Sequence, residues 1–161
     1  MSDKQNQAGV KCIIICSKDG VPLVTVKVEE KINEALIAPF FSALDSFTGD
    51  NIDALSESLI KTGNLDILVK KKHGLILIAI LDKKLKKIGI GSEAEQALDL
   101  FYEMYKEEID LMNKGATLDL NIFKKFEVLL NKQIQEYYSR VGEKGGFFSK
   151  LLSLFRKKSE I

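Results

Sequence analysis

Three features of the chain predict an α+β domain built on a five-stranded antiparallel sheet. The run 75–81, Leu-Ile-Leu-Ile-Ala-Ile-Leu, is too short to cross a bilayer and too continuous for a strand with one wet face, so it reads as a central strand buried on both sides. Short turn signals at Asp19-Gly20, Thr62-Gly63-Asn64 and Lys72-His73-Gly74 separate β-rich segments and demand antiparallel neighbours. Elsewhere the apolar spacing changes to three and four, the period of a helix. The predicted order is β-β-α-β-β-β-α-α, with helices on both faces of the sheet and an amphipathic helix at the C-terminus.

The size and composition fit one soluble domain with a single core: 161 residues, 45% hydrophobic and 29% charged. The net charge of +1 conceals an asymmetry. Residues 142–161 hold Lys144, Lys150, Arg156, Lys157 and Lys158 against Glu143 and Glu160, so the remainder is slightly acidic. A body of that sign argues against nucleic acid as a partner and directs attention to the tail.

The first strand covers 10–16. Cys12 and Cys16 lie in it, and at about 3.3 Å per residue their Cα atoms are roughly 13 Å apart, beyond disulfide reach, so both are expected as reduced core residues. After the Asp19-Gly20 hairpin, Val24, Val26 and Val28 alternate with Thr25 and Lys27, and Pro22 places the start of this second strand at an edge. Over 33–47 the residues Leu36, Ile37, Phe40, Phe41, Leu44 and Phe47 mark an amphipathic helix. Pro39 either opens its main part as the first helical residue or kinks it, and Gly49 caps its end.

A three-stranded meander follows over 54–61, 65–71 and 75–81. Ser92 and Glu95 form a capping-box pattern ahead of a helix striped by Leu98, Phe101, Tyr105, Ile109 and Met112, which stops at Gly115. The last helix starts at Asp119 or Asn121, buries Phe123, Phe126, Leu130, Ile134, Tyr137 and Val141, and is broken by Gly142, Gly145 and Gly146. The expected organisation is a disordered N-terminus over 1–9, a domain over 10–141, a glycine hinge over 142–146 and a tail over 147–161. The first residues carry no apolar core of a signal peptide, so the expected location is cytoplasmic.

Little in the chain suggests catalysis. The one histidine, His73, sits in a hairpin tip with no nucleophile or acid pattern beside it, and it is expected as a surface turn residue. Two strand cysteines and one distant histidine do not make a zinc site, so no metal and no cofactor is expected. Gly89-Ile90-Gly91-Ser92 before a helix superficially resembles a phosphate loop, yet Glu93 and Glu95 would repel the anion and no lysine follows the glycines. The expectation is a protein without enzymatic activity.

The tail is more informative. At about 100° per residue, Phe147, Phe148, Leu151, Leu152, Leu154 and Phe155 fall on one side of a helix, while Lys150, Arg156 and Lys157 take the other with Ser149 and Ser153; only Lys158 falls out of place. Phenylalanine and leucine opposite lysine and arginine, behind a glycine hinge, fit an anchor lying in the surface of an anionic membrane. The alternative is that the same stripe docks on the domain itself or on another subunit.

The element order, the Ser17-Lys18-Asp19-Gly20 hairpin, the helix residues Phe40, Phe41, Ala43, Leu44 and Phe47, and the hairpin within 65–81 resemble the longin domain and its relative, the roadblock domain, of profilin-like fold. The likeness covers about 10–141. Roadblock domains usually place a helix before the first strand, whereas a strand comes first here, which favours longin. The resemblance implies a non-enzymatic platform in vesicle trafficking or small-GTPase control, with a small GTPase or a sister longin or roadblock domain as partner. Contact would run through a sheet edge or through Leu36, Phe40, Phe41, Leu44 and Phe47, and a homodimer through paired edges fits the same pattern. There is no long heptad segment, so the fusion role of longin SNAREs is not implied. Two arginines, Arg140 and Arg156, also make an arginine-finger activator a poor fit. A structural subunit of a larger assembly and a profilin-like sensor with a pocket between sheet and helix are the competing expectations.

Overall fold

A computed structural model of the chain describes residues 9–28, Ser42 and residues 56–142. Within them the strands are β1 (Val10–Ser17), β2 (Pro22–Lys27), β3 (Ser56–Lys61), β4 (Leu65–Lys72) and β5 (Leu75–Asp82). They form one antiparallel sheet in the order β2-β1-β5-β4-β3, so the most apolar strand is central, as its sequence demands. The sheet is followed by α1 (Ile90–Asn113), a 3-10 turn (Leu120–Phe123) and α2 (Lys124–Gly142). The predicted α+β class with a five-stranded antiparallel sheet is therefore observed. The predicted helix over 33–47, apart from Ser42, and the tail over 147–161 lie outside the described residues.

Alternation along the strands sorts the side chains onto two faces. On one, Ile13, Ile15, Val24, Val26, Leu68, Leu77, Ala79 and Leu81 meet α1 and α2 in a single core. The predicted stripes supply the other half of that core: Leu98, Phe101, Tyr105 and Ile109 from α1, and Phe126, Leu130, Ile134 and Tyr137 from α2, with Phe123 from the turn between them. On the opposite face Cys12, Ile14, Cys16, Ile67, Val69, Ile76, Ile78 and Ile80 are buried in a second cluster, so β5 is enclosed on both sides. Both cysteines are free, and burial pushes their thiols up to about 11 at Cys12 and about 12 at Cys16, so they act as small apolar residues.

The turns follow their residues. Gly20 adopts φ 86°, donates its N–H to the Ser17 carbonyl at 3.0 Å and closes a three-residue loop, since the pairing resumes with Ser17 N–H to the Val21 carbonyl. β2 buries Leu23, Val24 and Val26 and exposes Lys27, but Val28 lies beyond the strand and is exposed, contrary to the alternation read from the sequence. α1 ends in a Schellman pair, with Ala116 N–H to the Leu111 carbonyl and Gly115 N–H to the Met112 carbonyl, both at 3.0 Å. Asp119 caps the next turn by accepting from the Asn121 amide.

The start of α1 departs from the predicted capping box. Gly89, at φ 69°, is the N-cap, and Glu93 N–H donates to its carbonyl at 3.0 Å. Ser92 therefore sits inside the first turn, and Glu95 is drawn to the sheet, where its carboxylate lies 3.5 Å from the Lys72 ammonium. A long-range ion pair has taken the residue that the local pattern assigned to a cap.

Tyr105 breaks the helical geometry of α1 with φ −127° and ψ 27°, and packs edge-on to Phe123 with centroids 5.0 Å apart. Its buried hydroxyl has no hydrogen-bond partner. Removing a buried unsatisfied donor while keeping the ring relieves a desolvation cost of about 1 kcal/mol or more. Tyr105→Phe is expected to leave the urea midpoint unchanged or to raise it, whereas Phe101→Ala, at the centre of the same aromatic cluster, should lower stability by about 3–5 kcal/mol.

Candidate functional surfaces

The residues singled out from the sequence for membrane and partner contact, Phe147 to Lys158 in the tail and Leu36, Phe40, Phe41, Leu44 and Phe47, all lie outside the described residues. The described part supplies other surfaces: a polar seam under α1, a groove between the helices, a lysine-rich loop and the sheet edges.

The seam arises because β4 turns polar at its end. Lys70 pairs with Glu57 across the strands at 2.7 Å, Lys72 reaches Asp99 at 2.9 Å, and His73 places Nε2 2.7 Å from the same carboxylate. His73 holds a left-handed φ of 60° in the β4–β5 turn and stacks on Tyr102 of α1, with centroids 4.4 Å apart and planes 5° from parallel. It is a turn residue, as expected, but one that fastens the turn to the helix. The hydrogen bond from Lys72, helped by His73, holds the Asp99 carboxyl below its usual range.

The same row explains why Gly89-Ile90-Gly91-Ser92 is not a phosphate loop. The Glu57 carboxylate lies against Gly91, close enough that a β-carbon there would collide with it. The positive end of α1 is thus occupied by the chain's own anion.

Between α1 and α2 runs an open groove of about 440 Å³, with Leu100, Phe126, Leu129 and Tyr137 on its walls and Gln96, Lys132 and Glu136 at its rim. Glu93 and Arg140 close one end as an ion pair, Gln133 donates to the Glu93 carboxylate at 2.8 Å, and the Arg140 guanidinium lies 5.2 Å above the Tyr137 ring. Beneath the helices, where Ala79 faces Ala94 and Ala97, the core leaves an apolar gap of only about 40 Å³. That is about the volume of one water molecule and does not provide the polar pocket expected of a ligand sensor.

The loop from β5 to α1 is tied down by a buried carboxylate. Asp66 accepts Lys87 at 2.8 Å and faces Lys83 at 3.6 Å, while Leu85 is buried in the core. The Tyr137 hydroxyl donates to the Lys86 carbonyl at 2.8 Å, with the Ile88 carbonyl 3.1 Å away. The sequence showed this loop only as a lysine and glycine segment, and the spacing of Leu85 between two lysine pairs is the signal it offered. Among the described residues no group of histidine, cysteine, aspartate and glutamate has the arrangement of a metal site.

No protein-family model matches the chain, and no curated protein matches it. Among solved structures it is similar to a chain of "The Structure of the Mammalian SRP Receptor", at 18% identity over 81% of this chain and 99% of that one, with a TM-score of 0.43. It is also similar to the "Crystal Structure of Roadblock/LC7 Domain from Streptomyces avermitilis", at 14% identity over 55% of this chain and 78% of that one, with a TM-score of 0.34.

The Asp66 cluster yields a pH test. The hydrogen bond from Lys87 depresses the Asp66 carboxyl below its unfolded value, so its contribution to stability is complete above that value, about 3.9, and is lost as pH falls through the lower folded value. Asp66→Asn should cost about 2 kcal/mol at neutral pH, from the loss of charged hydrogen bonds. In urea titrations the difference from wild type should stay constant down to about pH 5 and close progressively below pH 4.

Proposed function

We propose that this chain is a non-catalytic binding platform of the longin kind, cytoplasmic, which binds or regulates a small GTPase or a sister longin or roadblock domain. Its C-terminal segment holds it at an anionic membrane surface. The observation that supports this reading is the open sheet: among the described residues β2 and β3 each pair on one side only. Thr62 N–H bonds the Leu65 carbonyl, and antiparallel alternation from that pair turns the backbone amides of Glu57, Leu59 and Lys61 outward from β4. Leu59 is 40% exposed beside them. Such an edge receives a partner's strand through main-chain hydrogen bonds and needs no catalytic group.

The identity of the partner rests on the sequence resemblance, and the membrane on the amphipathic pattern of Phe147 to Lys158. Arg140 is engaged by Glu93 and Tyr137, an arrangement that favours recruitment or nucleotide exchange over arginine-finger activation. The groove between α1 and α2, with Leu100 and Leu129 exposed, favours a second reading as a structural subunit of a larger assembly.

The test is co-elution of the full chain with purified small GTPases in the GDP-bound, GTP-bound and nucleotide-free states, together with the release rate of a fluorescent nucleotide. Co-elution in one state, abolished by Leu59→Pro on an otherwise folded chain, is the expected result. Accelerated release would make the chain an exchange factor. Failure to bind any GTPase or sister domain, with the chain folded and monomeric, would remove the platform reading. Vesicle co-sedimentation of Phe148→Asp/Leu152→Asp against wild type tests the tail, with loss of binding to anionic vesicles expected.

A further inference from the structure

The end of the sheet at which α2 finishes is basic and carries exposed apolar side chains. The β5–α1 loop there reads Asp82-Lys83-Lys84-Leu85-Lys86-Lys87-Ile88-Gly89. Its shape is fixed from inside: Leu85 is buried, Asp66 holds Lys83 and Lys87, the Asp82 carboxylate accepts the Lys84 amide at 2.8 Å, and Tyr137 holds the carbonyl of Lys86. What this leaves outside is Lys84, Lys86 and Ile88. At 72% exposure, Ile88 is the most exposed large apolar side chain among the described residues.

The neighbours extend the patch. Lys27 and Val28 at the end of β2 and Lys61 at the end of β3 are exposed on the same end, and the Lys83 ammonium reaches the Thr62 carbonyl between them. Three carboxylates described at this end are engaged by their neighbours, Asp66 by Lys83 and Lys87, Asp82 by the Lys84 amide and Glu93 by Arg140 and Gln133. Lys84 and Lys86 have no carboxylate partner among the described residues. A fixed loop that presents two free ammonium groups around an exposed isoleucine combines charge for anionic headgroups with an apolar side chain for the layer beneath them.

We propose that this end of the sheet binds the surface of an anionic phospholipid bilayer, with Lys84, Lys86, Lys27 and Lys61 over the headgroups and Ile88 entering the interface. The proposal rests on the membrane reading of the tail and deepens it: α2 ends at Gly142, and its Tyr137 already contacts this end of the sheet. A nucleic acid would satisfy the lysines but offers nothing to Ile88, which is why the bilayer is the better fit.

The experiment uses the full chain and vesicles of phosphatidylcholine with and without phosphatidylserine, at low and high salt. The chain contains no tryptophan, so Ile88→Trp supplies a single reporter whose emission shifts to the blue on entering the interface. The expected results are a blue shift with phosphatidylserine vesicles and a drop of about tenfold or more in their binding for Lys84→Glu/Lys86→Glu, with thermal unfolding unchanged. The tail variant Phe148→Asp/Leu152→Asp separates the two ideas. Binding lost in the tail variant but unchanged in the loop variant, with no blue shift, overturns the loop proposal and leaves the tail reading standing. Binding lost in the loop variant and retained in the tail variant supports the loop and removes the tail anchor. No vesicle binding by wild type, or binding to duplex DNA in its place, overturns the loop proposal together with the membrane reading.

Discussion

The structure depends on β5 being enclosed on both faces. Ile76, Ile78 and Ile80 point to one side and Leu75, Leu77, Ala79 and Leu81 to the other, and all are buried. A strand of this kind is stable only with a partner strand along each edge and a layer of side chains over each face, because both its backbone and its side chains must leave water. β1 and β4 supply the edges, and the long pairings with each keep the register fixed. The placement of α1 and α2 follows from the need to cover the face that carries Leu77 and Ala79. Small residues at Ala79, Ala94 and Ala97 bring α1 close to the sheet and leave a gap too small for a ligand.

Electrostatics takes over where the apolar surface of the sheet ends. Along β4 toward its turn with β5 the helix-facing side changes from Leu68 to Lys70 and Lys72, and α1 meets these lysines with Glu95 and Asp99. Each of these ion pairs is worth little when exposed, but here they sit between a helix and a sheet that are already packed, so the cost of ordering their side chains is largely met by that packing. They set the lateral position of α1 over β4 and fasten the β4–β5 turn through His73 and Tyr102. The Asp66 cluster does the same for the β5–α1 loop, at the other end of the strand.

Features decided by neighbours in sequence were legible, and features decided by distant partners were not. The central strand, the hairpins at Gly20 and Gly74 and the stripes of α1 and α2 follow from periodicity and turn chemistry within a dozen residues. The capping box failed because Glu95 is claimed by Lys72, more than twenty positions away, while the positive φ of Gly89 starts the helix earlier. Lys70 and Lys71 are both buried, which nothing within β4 announces. The surfaces were less legible than the fold, because the groove between α1 and α2 joins residues some forty positions apart and no local pattern marks it. The stretches that did look functional, Leu36 to Phe47 and Phe147 to Lys158, belong to the part of the chain outside the described residues.

A sheet of this design leaves its binding capacity at its boundaries. Among the described residues the core is filled by large side chains on both faces of β5, and the gap under α1 is only about 40 Å³. Among the described residues, the outward amides of β3 face away from β4, and Lys84, Lys86 and Ile88 are exposed at the loop end. These two boundaries differ in what they can recognise. A strand edge reads backbone geometry and accepts a folded partner, whereas a basic end with an exposed isoleucine reads charge and an apolar layer without reference to sequence. They also meet at Lys61, where β3 reaches the basic end. A partner strand added at β3 would therefore lie with one of its ends near the plane of the lysines. Occupying one boundary would position the partner at the other.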